Sequence, residues 1–221
     1  MDGSADTLRF DEMRAAMVAS QLRTSAVDDS RVVKAMGEVP RERFVPAASR
    51  AIAYYDREVA LGNGRAMNAP LASGRLVTEA EILPTDRVLL IGAATGYTAA
   101  VLAKLAGSVV ALEEDATLAA QARDALAGTA NVTVAEGPLV AGWAQGGPYD
   151  AVVIDGGVES VPDAIVQQVK IDGRITTGLI DRGVRRLAAG RRSEGGFGLT
   201  DFADVDCVVL PGFAKPPSFQ F

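Results

Sequence analysis

The spacing of hydrophobic and polar residues changes near residue 86, so the two parts of the chain predict different elements. Before this point, the apolar residues of 7–22 recur at helical spacing, and Asp29 or Ser30 can cap a second helix. A third helix is predicted over 71–83. After residue 86, apolar runs alternate with helical segments, which is typical of a doubly wound, mostly parallel α/β sheet.

The elements predicted after residue 86 follow one another at short intervals. The predicted strands are 87–92, 108–113, 131–136, 149–155 and 173–177, and the predicted helices between them are 97–106, 116–127 and 161–169. Towards the C-terminus we expect a helix at 181–189, a turn at Gly195-Gly196, and strands at 197–202 and 204–210. These last two strands predict an antiparallel hairpin on the parallel sheet.

A glycine-containing loop joins the first predicted strand of this sheet to its helix. The apolar run 88–91 ends at Gly92, passes through small residues to Gly96, and continues at Tyr97 as an alanine-rich helix. Small side chains let the backbone approach a ligand closely, and a helix N-terminus offers free N–H groups to negative charge. This unit is typical of binding sites for nucleotide-like ligands.

An acidic pair follows the next predicted strand. Glu113 stands twenty-one residues after Gly92, with Glu114 beside it. A carboxylate at this position can hold both hydroxyl groups of a ribose. Glu113 is therefore the first candidate for a ribose ligand and Glu114 the second. The alternative is that both are solvated acids at a strand end.

The loop sequence distinguishes between cofactors. It has one glycine too few for the dinucleotide pattern G-x-G-x-x-G, and the chain has no Tyr-x-x-x-Lys pair and no P-loop. S-adenosylmethionine carries no pyrophosphate, so the loop does not have to bind phosphates. Its backbone only has to pass close to the methionine part of the cofactor. The sequence therefore favours S-adenosylmethionine over a nicotinamide cofactor or a nucleoside triphosphate.

Composition excludes several classes of function. The 221 residues include no histidine and one cysteine, Cys207, which excludes histidine-based catalysis and makes a zinc site untenable, so no metal is expected. The net charge of −6 argues against nucleic-acid binding. No apolar run has the length of a membrane span and no secretion signal is visible, so we expect a cytoplasmic protein with no membrane partner.

A series of short motifs occurs in a fixed order along nearly the whole chain. The motifs lie at 17–22, 31–46, 53–56, 62–64, Pro70, 96–103, 142–143 and 148–150. In this order and spacing the chain resembles the protein-L-isoaspartate O-methyltransferase family. The resemblance implies a Rossmann-like methyltransferase fold in a single domain over 1–221. A helical N-terminal cap with the substrate loop would occupy 1–83, and the cofactor-binding core would occupy 84–221.

The resemblance also implies a reaction and a set of site residues. Members of the family transfer a methyl group from S-adenosylmethionine to the free carboxylate of L-isoaspartyl residues, and the ester then closes to a succinimide. The implied partners are isoaspartyl-containing proteins or peptides. Asn68 is the implied catalytic residue. The implied substrate residues are Ala66, Met67, Asn68 and Pro70, and the implied cofactor residues are Gly92, Ala93, Ala94, Gly96, Glu113, Glu114, Gly137 and Asp155.

The cofactor motifs depart from the family pattern at three places. Leu90 replaces the acid before the loop, and Ala94 replaces the middle glycine. The later Gly-Asp-Gly stands here as Gly137-Pro138-Leu139, which would remove an acid near the adenine and an N–H donor.

The substrate motifs depart as well. The family's Gln-Thr-x-Ser-x-Pro is Arg65-Ala66-Met67-Asn68-Ala69-Pro70 here. Asn68 can hydrogen-bond a carboxylate through its amide, or it is simply a turn residue. The family's Val-Thr-Ala-Ala is Ile154-Asp155-Gly156-Gly157, where Asp155 is either a new polar contact or the N-cap of the next turn.

Two functions remain open from the sequence. One is an active methyltransferase acting on isoaspartyl carboxylates. The other is a degenerate or retargeted relative that serves as a binding or regulatory module. The tail 211–221, with three phenylalanines, either packs along the domain or forms a homodimer contact.

Overall fold

This computed structural model describes residues 3–215, which contain six α-helices and nine β-strands. The helices are α1 (Gly3–Met17), α2 (Ser30–Glu38), α3 (Pro70–Glu79), α4 (Tyr97–Leu102), α5 (Ala116–Ala125) and α6 (Asp163–Val166). The strands are β1 (Val59–Gly62), β2 (Arg65–Met67), β3 (Arg87–Ile91), β4 (Ser108–Glu113), β5 (Val132–Glu136), β6 (Tyr149–Val158), β7 (Val169–Asp181), β8 (Val184–Arg191) and β9 (Thr200–Ala203).

The core is a seven-stranded sheet in the order β5-β4-β3-β6-β7-β8-β9. Strands β3 to β7 are mutually parallel, and β8 and β9 are antiparallel additions at one edge. Strand order reverses between β3 and β6, which is where α/β sheets of this kind open a crevice for ligands. The prediction of a doubly wound, mostly parallel sheet with an antiparallel C-terminal part is confirmed.

Successive side chains of the central strands enter two separate apolar clusters. Val88 and Leu90 pack with α2, α3 and α4 on one face. Leu89 and Ile91 pack on the other face with α6 and the C-terminal residues Leu210 and Phe213. Because both faces are covered, the strands are apolar throughout rather than alternating.

The helix predicted at 181–189 is wrong, since Asp181 ends β7, residues 182–183 form a turn, and residues 184–189 belong to strand β8. Arg182 and Gly183 both have positive φ, at 49° and 79°, and they form the tight turn that folds β8 back onto β7. The arginine, leucine and alanine residues there favour a helix locally, but the whole of β8 pairs with residues 174–181 of β7, and this pairing overrides that preference.

Other predicted bounds shift by smaller amounts. The helix predicted at 161–169 is only the four residues of α6, because β7 already begins at Val169. The strand predicted at 204–210 is not a ladder strand, and it touches the sheet through one bridge between Val209 and Gly157. The N-terminal part also contains the small β1–β2 ribbon beside its helices. Among residues 3–215, no helix has the length and apolar character that a membrane span requires.

Candidate cofactor and substrate site

The loop after β3 turns back over the end of β4. The N–H groups of Gly92 and Ala93 both donate to the carbonyl of Leu112, at 3.0 Å each. Gly92, Ala94 and Gly96 all have positive φ, at 80°, 49° and 98°. This conformation suits the two glycines, whereas Ala94 is strained in it.

The Glu113 carboxylate is fully buried at the end of β4. Its Oε2 accepts from the N–H of Ala94 at 2.7 Å. Its Oε1 accepts from the N–H groups of Glu114 and Asp115 at 3.0 and 3.1 Å. Three backbone donors therefore hold the carboxylate at the position that the sequence predicts for a ribose ligand.

Arg65 pairs with Glu113 in a bidentate arrangement that the sequence did not predict. Nη1 of Arg65 pairs with Oε1 of Glu113, and Nη2 donates to Oε2 at 3.0 Å. Arg65 is itself only 8% exposed, so both partners are withdrawn from water. The available signal was the replacement of the family's glutamine by arginine at this position of the substrate loop.

A cavity of about 700 Å³ opens beside this ion pair. Its lining includes Gly64, Arg65, Glu114, Asp115, Glu136, Gly137, Pro138 and Leu210. Glu136 ends β5 and pairs with Arg123 at the surface. The family pattern implies that this region has lost its acid at Gly137-Pro138-Leu139. Pro138 does stand at the position of that acid, and Glu136, two residues earlier, supplies a carboxylate to the cavity lining.

The Asp155 carboxylate accepts hydrogen bonds from three side chains. Its Oδ1 accepts from Asn68 Nδ2 at 2.7 Å and from Ser73 Oγ at 3.2 Å, and its Oδ2 accepts from Thr98 Oγ1. Asp155 lies inside β6. Asp155 is therefore not the N-cap of a turn. Its polar contacts in the structure are with the chain's own side chains, and a contact with a ligand stays a prediction.

Asn68 is buried and links three parts of the chain. Besides its bond to Asp155, its Oδ1 accepts from the N–H of Val208 at 2.8 Å. Its backbone carbonyl accepts from Nη2 of Arg41. The neighbouring substrate-loop residues lie on the elements to either side of Asn68. Ala66 and Met67 lie on β2, and Pro70 is the first residue of α3.

Arg41 is a fully buried cation beneath the substrate loop. Its Nε donates to the carbonyl of Ala53 at 2.7 Å, and its guanidinium lies 4.6 Å from the centre of the Tyr97 ring. Nη1 has no hydrogen-bond partner among residues 3–215. Burial lowers the pKa of Arg41, and the nearby Tyr97 and Asp155 partly oppose that effect. The group therefore places positive potential near Asp155 and Asn68.

Residues 207–210, the C-terminal strap, lie across the loop. Gly157 donates to the carbonyl of Val208 at 2.6 Å and accepts from the N–H of Leu210 at 3.0 Å. The Leu210 side chain packs directly on Gly92 and Gly156, where an added Cβ would lie 2.9 and 2.7 Å from its atoms. Both glycines are thus required by the close approach of Leu210.

S-adenosylmethionine fits the backbone of this site but not its present side-chain arrangement. The loop, the Glu113 carboxylate and the adjoining cavity have the relative positions that a methionine part, a ribose and an adenine require. However, Arg65 holds the carboxylate and Leu210 fills the space over Gly92. Both side chains must move before the cofactor can occupy the site.

Comparisons with known proteins agree on one family. The family model described as Protein-L-isoaspartate(D-aspartate) O-methyltransferase matches residues 12–210. Protein-L-isoaspartate O-methyltransferase 1 of Rhodopseudomonas palustris (strain HaA2) is 37% identical over 210 residues, which cover 94% of this chain and 83% of that protein. The protein-L-isoaspartate O-methyltransferase of Pelotomaculum thermopropionicum is 32% identical over 202 residues, covering 90% and 88%.

A solved structure agrees on the fold. A Plasmodium falciparum structure described as a protein-L-isoaspartate O-methyltransferase in complex with S-adenosyl-L-homocysteine superimposes with a TM-score of 0.74. The sequences are 19% identical, and the match covers 89% of this chain and 97% of that one.

Proposed function

This chain belongs to the protein-L-isoaspartate O-methyltransferase family, and we propose that it transfers a methyl group from S-adenosylmethionine to L-isoaspartyl carboxylates in damaged proteins. The observation that carries the proposal is the family match over residues 12–210, which spans the substrate loop, the glycine loop and the acid after β4. The alternative of a degenerate binding module is not favoured by relatives that match across most of their length.

The proposal assigns the cofactor to the crevice between β3, β4 and β6. Glu113 would accept the ribose hydroxyls, with Glu114 at the rim. The loop residues Gly92, Ala93, Ala94 and Gly96 would line the methionine part, and Gly137 the adenine. The bound cofactor supplies an electrophilic methyl group on a positively charged sulfur.

The residues around Asn68 would orient the methyl acceptor. The Asn68 amide has two N–H donors, and only the one to Asp155 is used among the described residues. The other can donate to an isoaspartyl carboxylate, which makes Asn68 the candidate catalytic residue. Ala66, Met67 and Pro70 would shape the loop around the substrate chain.

Charge balance supports an anionic acceptor next to Asp155. Two carboxylates in one dry site repel each other unless donors or cations compensate. Asp155 is compensated by Asn68, Ser73 and Thr98, and the buried Arg41 adds a positive charge nearby. Since the acceptor carboxylate is already nucleophilic, the reaction needs positioning and exclusion of water rather than a strong base.

A methylation assay tests the proposal directly. The purified chain is mixed with methyl-labelled S-adenosylmethionine and a peptide containing one L-isoaspartyl residue, and labelled methyl ester is measured. The matched control is the same peptide with a normal aspartyl residue. We expect label only on the isoaspartyl peptide, and none with Glu113→Ala. Equal labelling of both peptides, or of neither, would refute the assigned substrate.

The proposal also covers location and assembly. A single thiol, Cys207, suits a reducing compartment, which supports a cytoplasmic protein. Of the tail residues, Phe213 packs in the second apolar cluster, as the packing alternative predicts. Phe219 and Phe221 lie outside the described residues, so the homodimer remains a proposal. Molecular mass in solution, with and without residues 216–221, tests it.

A further inference from the structure

We propose that Arg65 sets the cofactor affinity of this chain by competing with the ribose for Glu113. The inference rests on the proposed function, because it concerns how S-adenosylmethionine reaches that same site. It assigns to Arg65, which replaces the family's glutamine, the role of an affinity-determining residue. In this arrangement the guanidinium closes the site until the cofactor displaces it.

The Glu113 carboxylate has no acceptor capacity left for a ribose. A carboxylate offers about four lone-pair sites. Glu113 already accepts five donors: two from Arg65 and the backbone N–H groups of Ala94, Glu114 and Asp115. A diol would bring two more donors, so one set must leave. The backbone donors are fixed by the loop and by the strand end, and only the Arg65 side chain can turn away.

The surroundings of Arg65 make such an exchange feasible. It begins β2 just after the turn Asn63-Gly64, where both residues have positive φ. Asn63 donates to Asp115 at 3.0 Å, which anchors this turn to the start of α5. The carboxylates of Glu114, Asp115 and Glu136 line the cavity beside Arg65. When the Arg65 guanidinium leaves Glu113, it can therefore enter the solvent of this cavity and remain close to these carboxylates.

The competition has a simple consequence for binding. Only molecules in which Arg65 has turned away from Glu113 can bind the ribose. If these molecules are a fraction of the population, the apparent Kd equals the intrinsic Kd divided by that fraction. Replacing Arg65 by the neutral glutamine of the family pattern removes the competing ion pair. The three backbone donors to Glu113 remain, so the carboxylate stays in place and becomes available to the diol.

Calorimetric titration with S-adenosylhomocysteine tests the inference without any catalytic step. The proteins compared are the wild type, Arg65→Gln and Arg9→Gln, which removes the same charge from an exposed position on α1. We expect Arg65→Gln to lower Kd at least tenfold, a change of about 1.4 kcal/mol. We expect Arg9→Gln to stay within twofold of the wild type.

The outcomes separate this inference from the proposed function. If the wild type binds and Arg65→Gln binds equally or more weakly, Arg65 is not a competitor and the inference is wrong, while the methyltransferase proposal stands. If no variant binds at millimolar ligand, both are wrong. Should Arg65→Gln fail to fold, Arg65→Lys replaces it. Lysine keeps the charge but loses the bidentate geometry, so we expect a smaller decrease in Kd, and no decrease would overturn the inference.

Discussion

Replacing Glu113 should lower the free energy of unfolding more than replacing its ion-pair partner Arg65. Glu113→Gln leaves the Arg65 guanidinium without its carboxylate and offers the three backbone N–H groups only one amide oxygen. Because Arg65 can turn towards the acidic cavity, we expect the cost to come mainly from the backbone donors. Each buried N–H group left without an acceptor costs about 1–3 kcal/mol, so the total should reach about 3 kcal/mol or more. Arg65→Gln leaves Glu113 with three charge-assisted backbone hydrogen bonds, so we expect a cost nearer about 1 kcal/mol.

Thermal unfolding measures this difference. For a chain of this size, about 1 kcal/mol changes Tm by about 2–4 °C. Glu113→Gln should therefore lower Tm by about 6 °C or more, and Arg65→Gln by about 2–4 °C. The double variant completes the cycle and should show a clear coupling energy. Equal losses for the two single variants, or a larger loss for Arg65→Gln, would refute the view that the backbone donors are sufficient to hold Glu113 when Arg65 is absent.

Three further predictions concern other parts of the same site. Ala94 has a left-handed backbone conformation, with φ at 49°, which is strained for alanine and not for glycine. Ala94→Gly should therefore raise the free energy of unfolding in urea by up to about 1 kcal/mol, and a fall would show that Ala94 is not strained. Leu210→Ala should lower that free energy by about 2–3 kcal/mol because Leu210 is buried on two glycines, while Val209→Ala, at a 55% exposed neighbour, should change it little. Burial raises the pKa of the Cys207 thiol from its ordinary value of 9.0 to about 12, so this thiol contributes stability that is lost as the pH rises from 9 towards 12. Iodoacetamide at pH 9 should alkylate native Cys207 far more slowly than the urea-unfolded chain, and equal rates would show that the thiol is accessible.

Local patterns were sufficient for the general architecture. The apolar run before Gly92 and the acid after the next strand predicted the β3–loop–α4 unit and the place of Glu113, because both depend on residues close in sequence. The cap at Asp29 is also a local interaction, since its side chain accepts from Arg31 two residues on. Strand β8 was mistaken for a helix because its residues favour a helix until β7 pairs with them.

The state of the site was decided only by tertiary structure. Arg65 and Glu113 are 48 residues apart, and Asn68 meets the N–H of Val208 140 residues away. No short-range pattern links such positions, since they meet only when the β1–β2 ribbon and the C-terminal strap fold over the sheet. The sequence by itself thus determined the family, the sheet and the candidate acid. The folded chain decided that this acid is held by an arginine, because only packing brings a buried cation to a buried carboxylate.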